Sequence, residues 1–440
     1  MSDQSNLLRS IFNALPESAP GGVDVSKWYV NRASDDENDP VANLHQCIYW
    51  EEEPDPGRCY LFSGLRGSGK TTELNRLVKE LRANNIAAYY CDASAYLNLN
   101  DPQLSLAELL MTALAGLADA VRKEIGKDHF SDSIWQRTKR LLGSNVELNP
   151  KLKLGGAGTS VEIEATLQEN PDFRKHLIQF AQSSSDFYDE AVKFSEEIAK
   201  TIRQHTRCKK IVLIVDSLER ISAPSGDEVK LFDSLKEIFH NAPGTLHFPS
   251  LSVVYSVPPY LEAVLPSVNK DFSMPVVSLP NFKVIQPVDG APKNQEGIDK
   301  MVEILDRRHP AWPQVMARSV VEYLAWMSGG NVRRFFSLMR TVARKAALSR
   351  AELPINDPND PPIRHAISEA AQPLQWLTAR DRQWLKHFMA SNRNPSEHIQ
   401  NQAEDLPSII RLFDHSLVLD YRNGSVWYQV PQIVREYVVD

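Results

Sequence analysis

Gly64-Leu65-Arg66-Gly67-Ser68-Gly69-Lys70-Thr71 is the stretch from which the rest of the chain is read. Before it, Cys59-Tyr60-Leu61-Phe62-Ser63 has the make-up of a short buried strand. After it, Thr71 to Arg82 places Leu74, Leu77, Val78 and Leu81 on one helical side. Glycines at 64, 67 and 69 let such a strand-to-helix turn bend tightly and aim successive N–H groups inward. The helix N-terminus adds partial positive charge, so phosphate oxygens are the expected occupant. Gly, four residues, Gly, Lys and Thr is the phosphate-loop spacing. The expected binding residues are Gly64, Leu65, Arg66, Gly67, Ser68, Gly69, Lys70, Thr71 and Thr72. Lys70 would neutralise the β and γ phosphates, and the Thr71 hydroxyl would serve Mg²⁺, which takes few protein ligands and keeps water in the rest of its octahedron. The alternative, a glycine-rich turn without ligand, is disfavoured by the match at every specified position.

Ile211-Val212-Leu213-Ile214-Val215-Asp216 is the second signal: an apolar run closed by a carboxylate describes a buried parallel strand whose C-terminal edge reaches the phosphates. Asp216 is the expected second metal residue with Thr71. Glu219 follows on the same turn and is the candidate for orienting an attacking water, unless it simply pairs with Arg220 on the surface. Ser256 ends a further strand, Leu251 to Ser256. Its hydroxyl either meets the γ phosphate or satisfies local backbone.

The 440 residues suffice for two or three domains, and an apolar share of 42% supplies ample core. A net charge of -7 argues against a globally basic nucleic-acid binder. No long apolar run predicts a membrane span, and the N-terminus lacks the pattern of a secretory signal, so the expectation is a cytoplasmic protein with no membrane partner. Cys47, Cys59, Cys91 and Cys208 show no metal-ligand spacing and are expected as free thiols.

In chain order, residues 1–40 are expected as a loosely attached lead-in. Within it Leu7, Leu8, Ile11, Phe12 and Leu15 form an amphipathic piece, and Trp28-Tyr29-Val30 either flanks a nucleotide base or anchors a surface loop. A core at 41–285 carries an insertion at about 145–185. There Val146 to Leu154 and Val161 to Leu167 alternate around Gly155-Gly156-Ala157-Gly158, as in a β-hairpin. Ser105 is the expected cap of a helix through Val121. Phe187, Ala191, Phe194, Ile198 and Ile202 stripe the helix Asp186–His205, expected against the sheet. Met274 to Leu279 is read as the last strand. Helices then fill 286–352, with Gly329-Gly330-Asn331-Val332-Arg333-Arg334 between two of them. Cations opening a helix are unfavourable to its dipole, so Arg333 and Arg334 imply an anionic partner, phosphate or acidic side chain. After a Pro- and Asp-rich linker, residues 363–440 read as helices, a hairpin (Leu417–Tyr421, Val426–Val430) and a last helix, an arrangement like a winged helix. Its candidate recognition helix, Leu406 to His415, has only Arg411 as a firm cation beside Glu404, Asp405 and Asp414, favouring a protein over a DNA groove.

Together these motifs resemble the AAA+ and STAND division of P-loop ATPases over roughly residues 41–350, with a C-terminal winged helix as in Orc/Cdc6-like members. The resemblance implies an α/β fold: a P-loop NTPase parallel sheet with a helical lid and a C-terminal winged-helix-like domain. It also implies ATP and Mg²⁺ as cofactors, catalysis by Lys70, Asp216 and Glu219, Ser256 as sensor 1 and Arg333 as the lid arginine that reads the γ phosphate. The chain departs from ordinary AAA+ members at Ser217, where they carry the catalytic Glu, and in having no arginine between Ile221 and Asp306, where ring-forming members carry an arginine finger. Arg220 and Lys270 are the substitutes the sequence offers. These departures lean toward a STAND-like ATPase switch that self-associates with ATP and controls a protein effector, as similar bacterial ATPases do in defence against phage. The alternatives are an Orc/Cdc6-like or transposition-helper ATPase assembling on DNA, and a nucleotide-bound scaffold that does not hydrolyse.

Overall fold

A computed structural model describes residues 3–16, 25–33, 38–52, 57–126, 171–224, 226–286, 292–391, 394–423 and 425–438. The hairpin expected at Val146–Leu167 lies outside them. Helices α1 (Asp3–Ala14), α2 (Val25–Trp28) and α3 (Pro40–Trp50) precede β1 (Cys59–Gly64), which leads into α4 (Lys70–Ala83). Then come β2 (Ala87–Asp92), α5 (Leu106–Ile125), α6 (Pro171–Ser183), α7 (Asp186–Thr206) and β3 (Ile211–Asp216). α8 (Glu228–Lys236), β4 (Ser252–Val257), α9 (Pro259–Val264) and the short β5 (Val277–Leu279) follow. The remainder comprises α10 (Gln295–Arg308), α11 (Arg318–Met327), α12 (Val332–Ser349), α13 (Pro361–Ala371), α14 (Ala379–Ser391), α15 (Gln402–Asp414), the hairpin β6 (Leu419–Asn423) and β7 (Ser425–Gln429), and α16 (Gln432–Val438).

The chain divides into two compact units. One comprises Met1–Asp39, Gly64–Thr72 and Leu279–Asp440, the other Pro40–Ser63 and Glu73–Ser278.

In the second unit the sheet runs β2-β3-β4-β1-β5. β1 and β3 are buried along their whole length, which is why both read as unbroken apolar runs. The parallel register sets Asp92 opposite Asp216, Val215 opposite Tyr255 and Ser63 opposite Val257, so the carboxyl ends of β1 to β4 share one edge. This is the α/β P-loop NTPase fold that the motifs predict.

α5 starts as expected at Ser105: its hydroxyl accepts from the Glu108 N–H while the Glu108 carboxylate reaches back to the Ser105 N–H. It packs on β2 so closely that a Cβ on Gly116 would stand 2.0 Å from the Cys91 sulfur, a place only glycine fills. The apolar stripe of α7 is buried, and α7 packs beside α5. All four cysteines are free, three of them buried. No helix among the described residues is long and apolar enough to cross a membrane.

In the first unit α1 is no loose lead-in. Leu8, Ile11 and Leu15 are buried, α1 packs on α12, and the Arg340 guanidinium lies 3.9 Å over the Phe12 ring. Each such aliphatic side chain contributes roughly 1.5–3 kcal/mol of burial, enough to fix a helix of 12 residues. Trp28 and Tyr29 anchor the next segment on α10: Arg308 stacks 5.1 Å over Trp28, and Arg307 donates to the Tyr29 carbonyl. The C-terminal helices close on a hairpin in which Asn423 pairs with Ser425, and Phe388, Phe413 and Tyr428 meet edge to face beneath it. The first strand, Leu419–Asn423, ends at Asn423. It therefore runs two residues further along the chain than the sequence predicts.

Candidate functional site: a phosphate loop held from outside

The Lys70 ammonium folds back on its own loop, donating to the Gly64 carbonyl at 2.7 Å and the Leu65 carbonyl at 3.0 Å. Lys70, Thr71 and Thr72 open α4, so their N–H groups belong to the turn that lacks helical acceptors. Gly67 and Gly69 take φ of +81° and +100°. At Gly67 a Cβ would also stand 2.6 Å from that of Arg333, which doubles the demand for glycine there.

Three successive carbonyls of the loop are occupied by separate parts of the first unit. Arg66 O accepts from the Asn331 amide at 2.8 Å and the Ser416 hydroxyl at 3.2 Å. Gly67 O accepts from the Arg333 N–H at 3.3 Å, and Ser68 O from the Arg32 guanidinium at 2.8 Å. A trans peptide points its N–H opposite to its C=O. With the carbonyls of 66 and 68 turned outward to these donors, the N–H groups of Gly67 and Gly69 face the other way, into the loop.

The Ser68 hydroxyl is buried and has no hydrogen-bond partner. A buried orphan hydroxyl among inward N–H groups and a lysine fits an anionic oxygen ligand. Thr71 in the first unit and Asp216 in the second, the residues expected from the sequence to serve Mg²⁺, each carry a hard oxygen donor of the kind that ion takes. Among the described residues no cluster of three or more His, Cys, Asp or Glu is placed to hold a metal.

Asp216, Glu219 and Ser256 lie in the second unit. Asp216 is fully buried at the end of β3, accepting from the Tyr90 phenol at 2.7 Å and from the Ser217 N–H at 2.7 Å. The chain then turns through Ser217 at φ +75° into the short helical turn Leu218–Arg220. Ser256 accepts from the Leu218 N–H at 3.0 Å. Its hydroxyl thus supports the turn that carries Glu219, the local-backbone reading of this residue. Glu219 is buried and Arg220 exposed.

Arg333 begins α12 against Gly67 with its side chain exposed. Arg334, expected to face an anion, meets carbonyls: Ser416 at 2.8 Å, and Ser328 and His415 at 3.4 Å. Two of these close the C-terminal end of α15, whose dipole favours a cation. Burial pushes the Arg334 pKa down to about 10, opposed by the Tyr421 phenol. Arg32, Tyr90, Asn331 and Ser416 were not singled out by sequence. Only Asn331 left a usable trace, as an Asn placed to cap α12, which its Oδ1 does by accepting from the Arg334 N–H. Arg32 further braces the loop by donating to the Pro280 carbonyl and stacking 4.7 Å over Phe282.

No family model matches the sequence, and no curated protein matches it. Solved structures do resemble it. The ADP form of the ORC2 protein of Aeropyrum pernix, 12% identical, aligns over 97% of this chain and 95% of its own with a TM-score of 0.40. Cdc6p from Pyrobaculum aerophilum, 11% identical, covers 95% and 98% at 0.37. The RuvB Holliday junction branch migration motor of Thermotoga maritima, 11% identical, covers 92% and 93% at 0.34.

Proposed function

We propose that this chain is a Mg²⁺-dependent ATPase switch of the STAND type, slow in turnover, whose nucleotide state controls a protein effector. The observation that carries the reading is the outward bonding of the phosphate loop. Asn331 and Ser416, 85 residues apart in the chain, both hold the carbonyl of Arg66, so an anion drawing the loop inward acts on the helical segment and the C-terminal segment together. Lys70 binds the β and γ phosphates, Thr71 and Asp216 serve Mg²⁺, Glu219 orients the attacking water, and Arg333 reads the γ phosphate. ATP, when bound, supplies the phosphoanhydride that is hydrolysed. The residues of the chain position it and distinguish its two states, which is the differential affinity a switch requires.

For the partner, the only firm cation of the candidate recognition helix is engaged: Arg411 pairs with Asp381 at 2.9 Å. Most of α15 is buried, and its exposed N-terminal residues are Gln402, Ala403 and Glu404. This supports a protein partner over a DNA groove. A role beside an effector in defence against phage follows from the STAND resemblance. The test is ATP turnover and molar mass in ATP for the parent, Lys70→Ala and Glu219→Gln. Slow turnover, loss of binding in Lys70→Ala and a changed assembly retaining ATP in Glu219→Gln are expected. A parent that holds nucleotide without turnover or mass change leaves the scaffold reading, and salt-dependent DNA affinity would favour the DNA-assembling one.

A further inference from the structure

We propose that Tyr90 is a positioning residue for Asp216, orienting the carboxylate toward Mg²⁺; the inference rests on the metal role given to Asp216 above. In the β2–β3 register Tyr90 stands opposite Ile214 and Asp92 opposite Asp216. Side chains alternate along a strand, so Tyr90 and Asp92 share a face, as do Ile214 and Asp216. The phenol therefore reaches one diagonal step along the sheet, within the span of an aromatic side chain. Its hydroxyl donates to Asp216 Oδ2 at 2.7 Å, while the Ser217 N–H donates to Oδ1 at 2.7 Å.

One donor on each oxygen fixes rotation about the Cβ–carboxyl bond. Both of these donors are neutral. The Ser217 N–H is main chain and sits next to Asp216. Tyr90 is thus a side chain through which a substitution can loosen the carboxylate without removing it. A hydrogen bond of this kind orients a metal-binding group, and its loss weakens metal binding roughly ten- to a hundredfold.

Tyr90→Phe keeps the ring and removes the donor. In the full chain, a fluorescent ADP or ATP is titrated first in EDTA and then with Mg²⁺, and the Mg²⁺ concentration giving half of the cation-dependent change is read, with Mn²⁺ as a second probe. The expected result is nucleotide binding in EDTA unchanged and a Mg²⁺ midpoint raised about tenfold or more. In an Asp216→Asn background the same substitution is expected to have no effect on the midpoint, because its route is through the carboxylate. A midpoint in Tyr90→Phe within twofold of the parent, or lower than the parent, overturns the inference. So does an equal effect in the Asp216→Asn background, which would assign the phenol a structural role. A parent chain that binds no nucleotide instead overturns the proposed function, a result the parent titration reports by itself.

Discussion

The side-chain amide of Asn331 donates to the main-chain carbonyl of Arg66 at 2.8 Å, while its oxygen accepts from the N–H of Arg334 at 3.1 Å. One residue thus caps α12 and holds the phosphate loop. Asn331→Asp keeps the cap oxygen and loses the donor; Asn331→Ala loses both. Chemical denaturation is expected to show a loss of about 1 kcal/mol for the alanine and much less for the aspartate. Both are expected to blunt the change in molar mass on adding ATP. An aspartate variant that assembles like the parent would separate the Arg66 contact from the switch.

Arg32 contacts two carbonyls and an aromatic ring with one planar group. A lysine retains the charge but not the fork. Calorimetric titration with ATP is expected to give a Kd raised about tenfold, or about 1.4 kcal/mol, in both Arg32→Ala and Arg32→Lys. Full recovery by lysine would mean that charge alone matters.

Ser256→Ala removes the acceptor of the buried Leu218 N–H, a loss of about 1–3 kcal/mol. Because the turn it holds carries Glu219, turnover is expected to fall while the Kd for ATP stays near the parent value. A parallel rise in Kd would place Ser256 against the nucleotide instead.

Ile11→Ala in α1 leaves a cavity under a helix that sequence alone would have left loose. A loss of about 2–4 kcal/mol is expected in urea unfolding followed by circular dichroism, and protection of α12 against hydrogen exchange should fall with it. No change would mean that α1 detaches freely.

The C-terminal helices carry two buried acids. Asp405 is hydrogen-bonded by Trp384 Nε1 and by the Gln400 and Asn401 N–H groups, each at 2.9 Å, and by Arg380. Burial alone would raise its pKa. The bonds from Asn401, Trp384, Arg380 and Gln400 outweigh burial and hold it below the usual carboxylate range, and Asp381 is lowered likewise against its burial by Thr378, Ser408 and Arg411. A depressed folded pKa contributes stability that is present above the unfolded value, near 3.9, and lost as pH falls through the folded value. Asp405→Asn is therefore expected to cost about 1.5–3 kcal/mol near neutral pH, with the gap to the parent narrowing below about pH 4 in urea unfolding. A gap that stays constant down to pH 3 would mean the charge contributes nothing.

The sheet was legible because its central strands are buried on both faces, which leaves unbroken apolar runs at Cys59 and Ile211 and a turn pattern between β1 and α4 that few other roles satisfy. Ser105 was legible as a cap because its partner is local. What packs beside a helix was not: the stripes of α1 and α7 were visible, and α12 and α5 as their partners were not. The donors around the site were also hidden. Arg32 is 36 residues from Ser68, Tyr90 is 126 from Asp216 and Ser416 is 350 from Arg66. Arg32 and Ser416 bond main-chain atoms, which carry no residue identity for a pattern to register. Arg334 was expected to meet an anion, phosphate or acidic side chain, and it meets main-chain carbonyls instead, two of them at the C-terminal end of α15.

The carbonyls of residues 66, 67 and 68 belong to the main chain and are present whatever side chains stand there. Mutation can therefore retune the grip on the loop only at the donors. A homologue with an unfamiliar loop interior would keep the linkage if Arg32, Asn331 and Ser416 persist, and an intact loop without them would be a binding site severed from its response.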